Sequence, residues 1–255
     1  MQVVGFETAP AGDDAHAALV VATDGTIDRI ALGPGTSLSY RLGERWCAGV
    51  VDDGIHEPCR DPTAPYCPVH TSRWPCARCT GDCNLPLQAC REEHAIYLAA
   101  FAPETFKVGV TRSWRLETRL REQGADRAAH LQTVPDGQVA RQIEADIAQE
   151  VGDRVRVPTK IRNLHEEVNE GAWESLLAEF DPLDTYSFEY GFDLTERPVA
   201  ETIATGTVRG TQGRVLVLDH AGGTYAVNLR DLVGFELTAG DTDRALQSSF
   251  SRFTT

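Results

Sequence analysis

The sequence lacks several features that would place it in a common class of protein. It has no apolar run of about 18 residues, so it offers no transmembrane helix. Its first residues contain neither a charged leader nor an apolar signal core, which predicts a cytoplasmic protein with no membrane partner. A Walker loop, a dinucleotide fingerprint and a serine-nucleophile elbow are also missing, which argues against the NTPases, dehydrogenases and hydrolases that use them.

Lysine is almost absent from the chain. Of 24 basic residues only Lys107 and Lys160 are lysines, whereas Asp and Glu number 38 and the formal net charge is -14. Weakly hydrated arginine and a dense acidic surface suit high salt, so the composition predicts a halophilic protein. An ordinary acidic protein from a GC-rich genome is the alternative. At molar salt the Debye length is about 3 Å, so the net charge does not exclude a nucleic-acid partner.

Hydrophobic patterning predicts an α+β fold. Short alternating runs predict an N-terminal antiparallel β meander over residues 1–50, with Asp24-Gly25 as a hairpin turn. Short strands return in a C-terminal β subdomain over residues 198–240, and the two β segments are expected to join in a small barrel-like sheet. They frame three other segments: a zinc-binding insert (51–93), an α/β core (94–160) and a helical and strand connector (161–197).

All seven cysteines lie between residues 47 and 90, in a proline-rich stretch with little periodicity. Clustered thiols in a cytoplasmic chain indicate metal ligation rather than disulfides. With one well-spaced histidine they supply eight ligands, enough for two tetrahedral zinc sites that are structural because protein fills every position. The predicted zinc ligands are Cys47, Cys59, Cys67, His70, Cys76, Cys79, Cys83 and Cys90.

The order of the ligands leaves open how they pair and whether one or two zinc ions bind. A sequential arrangement groups the first four ligands and then the last four, whereas a cross-braced one interleaves them. Cys47 is the weakest member because it follows Trp46 at the end of a predicted strand, where a small buried residue is the alternative. His56 and His94 are alternative ligands, and an iron–sulfur cluster is the alternative to zinc.

The central block carries four spaced motifs: Ala95-Ile96-Tyr97, Phe106-Lys107-Val108-Gly109-x-Thr111-Arg112, Arg119-Leu120-x-Glu122-Gln123 and Ala140-Arg141-x-x-Glu144. The series resembles the GIY-YIG nuclease superfamily. In that family two strands carry the paired motifs, an arginine lies on the following helix and a glutamate on a later helix holds a divalent metal. The whole chain is also similar to an uncharacterised archaeal and bacterial domain-of-unknown-function family with this core behind a cysteine-rich segment.

The resemblance implies catalytic roles residue by residue. Tyr97 would act near the attacking water or as a base, Arg119 would stabilise the phosphate, and Glu144 would hold Mg²⁺. Lys107 stands where the second motif usually has tyrosine, and Ala95 stands where the first motif has glycine. Substrate binding is expected from Gly109, Thr111, Arg112 and Arg115.

Elementary chemistry is consistent with these roles. Phosphodiester hydrolysis needs a cation near the phosphoryl group and a base for water, and a desolvated lysine can serve as either. Each residue also has a structural alternative. Tyr97 suits a core aromatic, Lys107 an exposed strand position, the arginines a solvated helix face, and Glu144 an ion pair with Arg141 on a helix surface.

The sequence therefore predicts a zinc-containing protein that acts on DNA or RNA through a GIY-YIG-like core. If the core is catalytic, the reaction is Mg²⁺-dependent phosphodiester cleavage, which requires Tyr97, Lys107, Arg119 and Glu144 to converge on one cleft. The first alternative is a non-catalytic RNA- or ribosome-associated module that binds through its zinc knuckles, arginine helix and C-terminal strands. The second is a scaffold whose zinc segment only holds subdomains together.

Overall fold

The structure, a computed structural model, describes residues 1–9, 16–71, 79–82 and 88–246. Most of its regular structure is sheet. The strands are β1 (Gln2–Glu7), β2 (Ala18–Thr23), β3 (Thr26–Ala31), β4 (Ser37–Arg45), β5 (Val50–Asp52), β6 (Ile55–Glu57), β7 (His94–Phe101), β8 (Thr105–Arg112), β9 (Arg127–Val134), β10 (Asp184–Ser187), β11 (Val199–Ala200), β12 (Ala204–Gln212), β13 (Val215–His220), β14 (Gly223–Asn228) and β15 (Phe235–Ala239).

The helices are few and short, and the mixture confirms the predicted α+β class. They are α1 (Leu116–Gln123), α2 (Gly137–Ile147), α3 (Val157–Arg162), α4 (Glu170–Leu177) and α5 (Leu229–Leu232), with 3₁₀ turns at Gln88–Arg91 and Ser113–Arg115. Among the described residues, no helix has the length and apolar character needed to cross a lipid bilayer. The chain divides into two compact units: unit 1 comprises Met1–Ser72 with Tyr190–Thr255, and unit 2 comprises Arg73–Glu189.

The first three strands of unit 1 form an antiparallel meander. β1 pairs with β2, and β2 pairs with β3 through a two-residue loop in which Thr23 lies opposite Thr26. Both loop residues have positive φ, 49° at Asp24 and 84° at Gly25. A type I′ hairpin turn requires this conformation, and Asp-Gly adopts it readily. The predicted Asp24-Gly25 hairpin is therefore confirmed.

The fourth strand leaves the meander. β4 pairs with β12 on one side and with β15 on the other, and β15 also pairs with β1. The N- and C-terminal strands thus join in one eleven-stranded sheet of order β11-β14-β13-β12-β4-β15-β1-β2-β3-β6-β5. Its inner face packs a leucine-rich core that includes Leu19, Leu38, Leu216, Leu218 and Leu232. Burying each of these side chains contributes roughly 1.5–3 kcal/mol to stability.

The expected barrel-like closure of this sheet is wrong. Within the described residues the sheet is open, because its edge strands β11 and β5 do not pair with each other. Closure requires strands long enough to tilt and stagger around a common axis. The edge strands contain only two and three residues, Val199–Ala200 and Val50–Asp52, so they cannot provide that ladder.

Unit 2 is built on a four-stranded antiparallel sheet of order β10-β9-β7-β8. β7 lies in the interior of this sheet and is buried along almost its whole length, as its apolar sequence predicts. Ala140 of α2 and Trp173 of α4 pack in its apolar core. Asp136 caps α2 by accepting a hydrogen bond from the backbone N–H of Gln138 at 2.6 Å. α2 ends at Ile147.

Candidate functional site

Three thiols and one imidazole meet in unit 1. The ligand atoms of Cys47, Cys59, Cys67 and His70 all lie within 4.8 Å of one another. His70 Nδ1 is 3.3 Å from the Sγ atoms of both Cys47 and Cys67. Ligands at the corners of a zinc tetrahedron are about 3.3–3.8 Å apart, given bond lengths of about 2.0–2.3 Å. The four residues, called the Cys₃His cluster below, could therefore hold a metal ion such as zinc.

Loops rather than regular elements carry the Cys₃His cluster. Cys47 follows β4 and Cys59 follows β6. Cys67 and His70 share one tight turn, in which the N–H of His70 donates to the carbonyl of Cys67 at 3.0 Å. Backbone N–H groups of Gly49 and Cys67 donate to Cys47 Sγ at 3.4 and 3.3 Å. Such donors stabilise a thiolate, the form of cysteine that binds metal.

Gly49 permits the loops of the cluster to approach closely. Its φ is +67°, and a Cβ atom at this position would lie 2.1 Å from the carbonyl oxygen of Glu57 and 3.2 Å from the backbone nitrogen of Cys59. Only glycine fits there. Gly49 was not among the residues predicted from the sequence, although its place two residues after Cys47 was a usable signal.

The environment of Cys67 favours the thiolate. Burial raises the pKa of this thiol, but hydrogen bonds from the backbone N–H groups of His70 and Val69 outweigh burial, and the pKa falls to about 7. At Cys47 burial dominates and the pKa is raised. Metal binding to the cluster therefore displaces a proton from at least one thiol and is favoured by higher pH.

The cluster contains the first four predicted zinc ligands in chain order, which is the sequential arrangement, and it includes Cys47. The alternative ligands lie elsewhere: His56 Nε2 bonds the carbonyl of Ala48 at 2.8 Å, and His94 Nδ1 bonds the carbonyl of Glu92 at 2.8 Å. The other four predicted ligands do not form a described site. Two of them, Cys76 and Cys83, lie outside the described residues, and Cys79 and Cys90 are free thiols.

A second group of polar residues gathers in unit 2, beginning with Tyr97. Tyr97 on β7 lies opposite Gly109 on β8. Its ring covers this glycine so closely that a Cβ atom on Gly109 would lie 2.4 Å from the Tyr97 hydroxyl oxygen. Lys107 lies two residues before Gly109, so its side chain emerges on the same face of the sheet as Tyr97.

Two residues of α1 cover the Tyr97 hydroxyl. Gln123 Nε2 donates to it at 2.6 Å, and Arg119 also hydrogen-bonds to it. Tyr97 is only 1 % exposed, whereas the Arg119 side chain is 45 % exposed. Arg119 Nη1 also donates to Glu122 Oε2 at 3.1 Å. Burial raises the pKa of Tyr97, against the opposing effect of Arg119. Tyr97 is therefore a neutral phenol, and its buried hydroxyl hydrogen-bonds with the Arg119 side chain.

Lys107 and Glu144 complete this group. Burial and, to a smaller extent, the positive charge of Arg119 lower the pKa of Lys107 to about 8, although the carboxylates of Glu144 and Asp153 act in the opposite direction. The Glu144 carboxylate also acts on Tyr97. It is 13 % exposed, and its Oε2 accepts a hydrogen bond from Arg141 at 2.6 Å.

The structure therefore brings together Tyr97, Lys107, Arg119 and Glu144, from two strands and two helices; we call them the Tyr–Lys–Arg–Glu cluster. The ion pairs expected for a purely structural role are also present, because Arg119 pairs with Glu122 and Glu144 pairs with Arg141. Gln123, whose role the sequence analysis did not recognise, lies in the same motif as Arg119. A phenol, an ammonium, a guanidinium and a carboxylate that influence one another electrostatically can together bind an anion and exchange protons with it.

The residues predicted to bind substrate extend from this cluster along β8 and onto the 3₁₀ turn that follows it. Gly109 lies under Tyr97, and Thr111 lies opposite Ala95 in the β7–β8 ladder. Arg112 pairs with Glu92 at 3.6 Å, and Arg115 pairs with Glu122 at 2.7 Å. These cations lie at the surface, and solvent and salt screen their ion pairs, so an incoming phosphate can compete for them.

Fold and sites together define an α+β protein with a Cys₃His cluster that could hold a metal ion. A family model described as "Protein of unknown function (DUF2797)" matches residues 52–237, and the chain belongs to that family. The matched range contains the Tyr–Lys–Arg–Glu cluster and three members of the Cys₃His cluster; Cys47 lies before it. No curated protein and no solved structure matches the chain.

Proposed function

We propose that the protein acts on nucleic acid and that unit 2 is a GIY-YIG-like core that cleaves a phosphodiester bond. The observation that carries the proposal is the convergence of the Tyr–Lys–Arg–Glu cluster. Its members lie on the elements that the resemblance implies: Tyr97 and Lys107 on two paired strands, Arg119 on the next helix and Glu144 on a later helix.

Arg119 is the group that contacts the phosphate. Its side chain is half-exposed, and the hydroxyl of buried Tyr97 hydrogen-bonds with its guanidinium group. A guanidinium presents paired N–H donors to two phosphate oxygens and so stabilises charge that builds up as the bond breaks. In this arrangement Tyr97 and Gln123 position Arg119 and do not themselves reach the substrate.

Lys107 accepts a proton from the attacking water. Because its pKa is about 8, roughly a tenth of the lysine is neutral at pH 7, and the fraction rises steeply with pH. A base with a pKa near the working pH combines availability with proton affinity. Arginine at this position would keep the positive charge but could not serve as the base.

Glu144 is suited to hold the Mg²⁺ ion that the resemblance implies. Mg²⁺ binds proteins through one or two carboxylates and keeps several of its waters, so a single glutamate is a sufficient protein ligand. Arg141 uses only Oε2 of Glu144, and no described residue hydrogen-bonds to Oε1. When bound, the ion would neutralise charge on the phosphoryl oxygens.

Zinc is the ion that we propose for the Cys₃His cluster. Thiolate and imidazole ligands in a tetrahedron suit Zn²⁺, and four protein ligands leave no open position for a substrate. The ion would therefore stabilise the loops of unit 1 and take no part in the chemistry of unit 2.

The test compares wild-type protein with Glu144→Ala on single-stranded, branched and duplex nucleic acids at high KCl with Mg²⁺. We expect cleavage by the wild type and a loss of roughly 10²–10³-fold in the variant, as for other electrostatic groups at a reacting centre. Glu174→Ala, which removes an exposed carboxylate from α4 in the same unit, is the matched control and should cleave like the wild type. Cleavage that survives Glu144→Ala would overturn the catalytic proposal.

A non-catalytic nucleic-acid-binding module is the second candidate. It is favoured by the engagement of Glu144 with Arg141 and by the burial of Tyr97, because both groups already have partners within the protein. The same experiment separates the candidates. Wild-type protein that binds these nucleic acids but leaves them intact at every Mg²⁺ concentration would establish the module and exclude the nuclease.

A further inference from the structure

Trp114 is exposed in an unusual way. It lies on the 3₁₀ turn Ser113–Arg115 between β8 and α1, and 70 % of its surface is open to solvent. Trp173, the other described tryptophan of unit 2, is only 4 % exposed. The buried side chains of α1 are Leu116 and Leu120, and Trp114 is not among the residues of the apolar core of this unit. The indole therefore adds little to the core of this unit.

One hydrogen bond holds the edge of the indole, and two guanidinium groups lie over its ring at a distance. Trp114 Nε1 donates to Glu92 Oε2 at 3.3 Å. The guanidinium carbons of Arg112 and Arg115 lie 5.8 and 5.9 Å from the ring centroid. These distances are within the range of a cation–π attraction but exceed the roughly 3.5–4 Å of direct stacking contact. The ring is thus oriented and flanked by cations while its surface remains accessible.

The indole connects to the Tyr–Lys–Arg–Glu cluster through ion pairs. Arg115, beside the ring, pairs with Glu122 at 2.7 Å. The other oxygen of Glu122 pairs with Arg119 at 3.1 Å. A nucleotide strand with a phosphate at Arg119 would therefore pass a large exposed aromatic ring next to it, with Arg112 and Arg115 available to its neighbouring phosphates.

We propose that Trp114, flanked by Arg112 and Arg115, is a stacking platform for an unpaired nucleotide base, so that the substrate of unit 2 is a single-stranded segment of nucleic acid. The inference rests on the proposed function. A base must leave its own stack to lie on an indole, which a single strand permits and an intact duplex resists. Stacking is also less sensitive to salt than phosphate contacts are, which suits a chain whose composition predicts high salt.

The test measures binding of labelled single-stranded DNA, single-stranded RNA and duplex DNA at high KCl without Mg²⁺, so that no substrate is consumed. Trp114→Ala should weaken single-strand binding by roughly tenfold or more, whereas Trp114→Phe, which keeps a ring, should restore most of it. Duplex binding should change little. Leu183→Ala removes another exposed apolar side chain of unit 2 and is the matched control. The DNA and RNA strands decide which nucleic acid the platform prefers.

An abasic strand supplies the second measurement. If a base stacks on Trp114, removing bases from the strand should weaken wild-type binding to the level that Trp114→Ala shows on the intact strand. Single-strand binding by Trp114→Ala equal to that of the wild type would overturn the platform and leave the proposed function standing. Wild-type protein that binds no nucleic acid would overturn both.

Discussion

The two polar clusters of this protein are built in different ways. The Cys₃His cluster of unit 1 lies on loops that follow β4 and β6, and its ligand atoms are held by turns and backbone N–H donors. The Tyr–Lys–Arg–Glu cluster of unit 2 projects from two paired strands and two helices. Regular elements keep their shape without the groups they carry, whereas a metal ion bound by loop residues would also stabilise the loops.

This difference predicts which cluster is part of the fold. Residues 46–71 contain few strand residues, and their backbone order depends on the turn at Cys67 and on contacts such as Cys47 N–H to the carbonyl of Asp61 at 2.8 Å. In unit 2, Tyr97 belongs to a fully paired strand and rests on Gly109. Loss of a ligand should therefore unfold structure in unit 1, whereas loss of a cluster residue in unit 2 should mainly alter chemistry.

The largest expected effect follows removal of a metal ligand. Cys67→Ser, or treatment of the wild type with a strong chelator, should abolish metal binding at the Cys₃His cluster and unfold its loops, because metal-binding energy at such sites is also folding energy. Metal analysis and hydrogen exchange of residues 46–71 provide the measurement. His56→Gln is the matched control, since His56 is buried nearby but bonds Ala48, and it should keep its metal. If hydrogen exchange of residues 46–71 were the same with and without metal, the Cys₃His cluster would not stabilise its loops, and the proposed difference between the two clusters would be wrong.

A smaller effect is expected beneath Tyr97. In Gly109→Ala the new methyl group would lie 2.4 Å from the Tyr97 hydroxyl oxygen and 2.5 Å from Cζ, so the ring must move. Overpacking of this kind costs about 1–3 kcal/mol, which denaturant unfolding measures. Gly171→Ala, whose nearest neighbour would be Asn169 Oδ1 at 3.5 Å, is the control and should not destabilise. Equal stability of the two variants would show that Tyr97 does not rest on Gly109.

The smallest effects concern the charge of Lys107. With only two lysines in the chain, Lys160→Arg leaves a single lysine signal for NMR. The pKa of Lys107 should be about 8, so its side chain is positively charged below neutral pH and loses that charge as the pH rises through 8. Arg119→Gln should raise this pKa because it removes a repelling cation. Glu144→Gln should lower it because it removes an attracting anion. Shifts of the same sign would mean that the residues do not form one cluster.

Local features of the fold could be predicted from the sequence because their causes are local. Asp24-Gly25 specifies its own turn, and the apolar run around Tyr97 specifies a buried strand. The grouping of Cys47, Cys59, Cys67 and His70 was one of two arrangements considered for the predicted zinc ligands, since spacing limits which side chains of a turn can meet. The pairing of β4 with β12 and β15 was not predictable, because alternating residues do not encode which strand lies alongside.

The sequence was least informative where one residue changes the role of its neighbour. Helical spacing from Leu116 and Leu120 would place Trp114 on the same helix, but α1 begins at Leu116 and the indole on the preceding turn is exposed to solvent. Gln123 could not be assigned from its type, since its role depends on the Tyr97 hydroxyl 26 residues earlier. Both cases require the relative placement of strand and helix, which hydrophobic periodicity leaves undetermined.

The topology of unit 1 has a consequence for synthesis on the ribosome. β1 and β4 both pair with β15, and β4 also pairs with β12. These N-terminal strands are therefore synthesised well before the C-terminal strands with which they pair. The whole four-stranded sheet of unit 2 lies within Arg73–Glu189 and emerges in between. During that interval the early strands have open edges, which invite pairing with other chains. All four residues of the Cys₃His cluster have been synthesised once His70 is added, so a metal ion can order part of the N-terminal segment before the C-terminal strands complete the sheet.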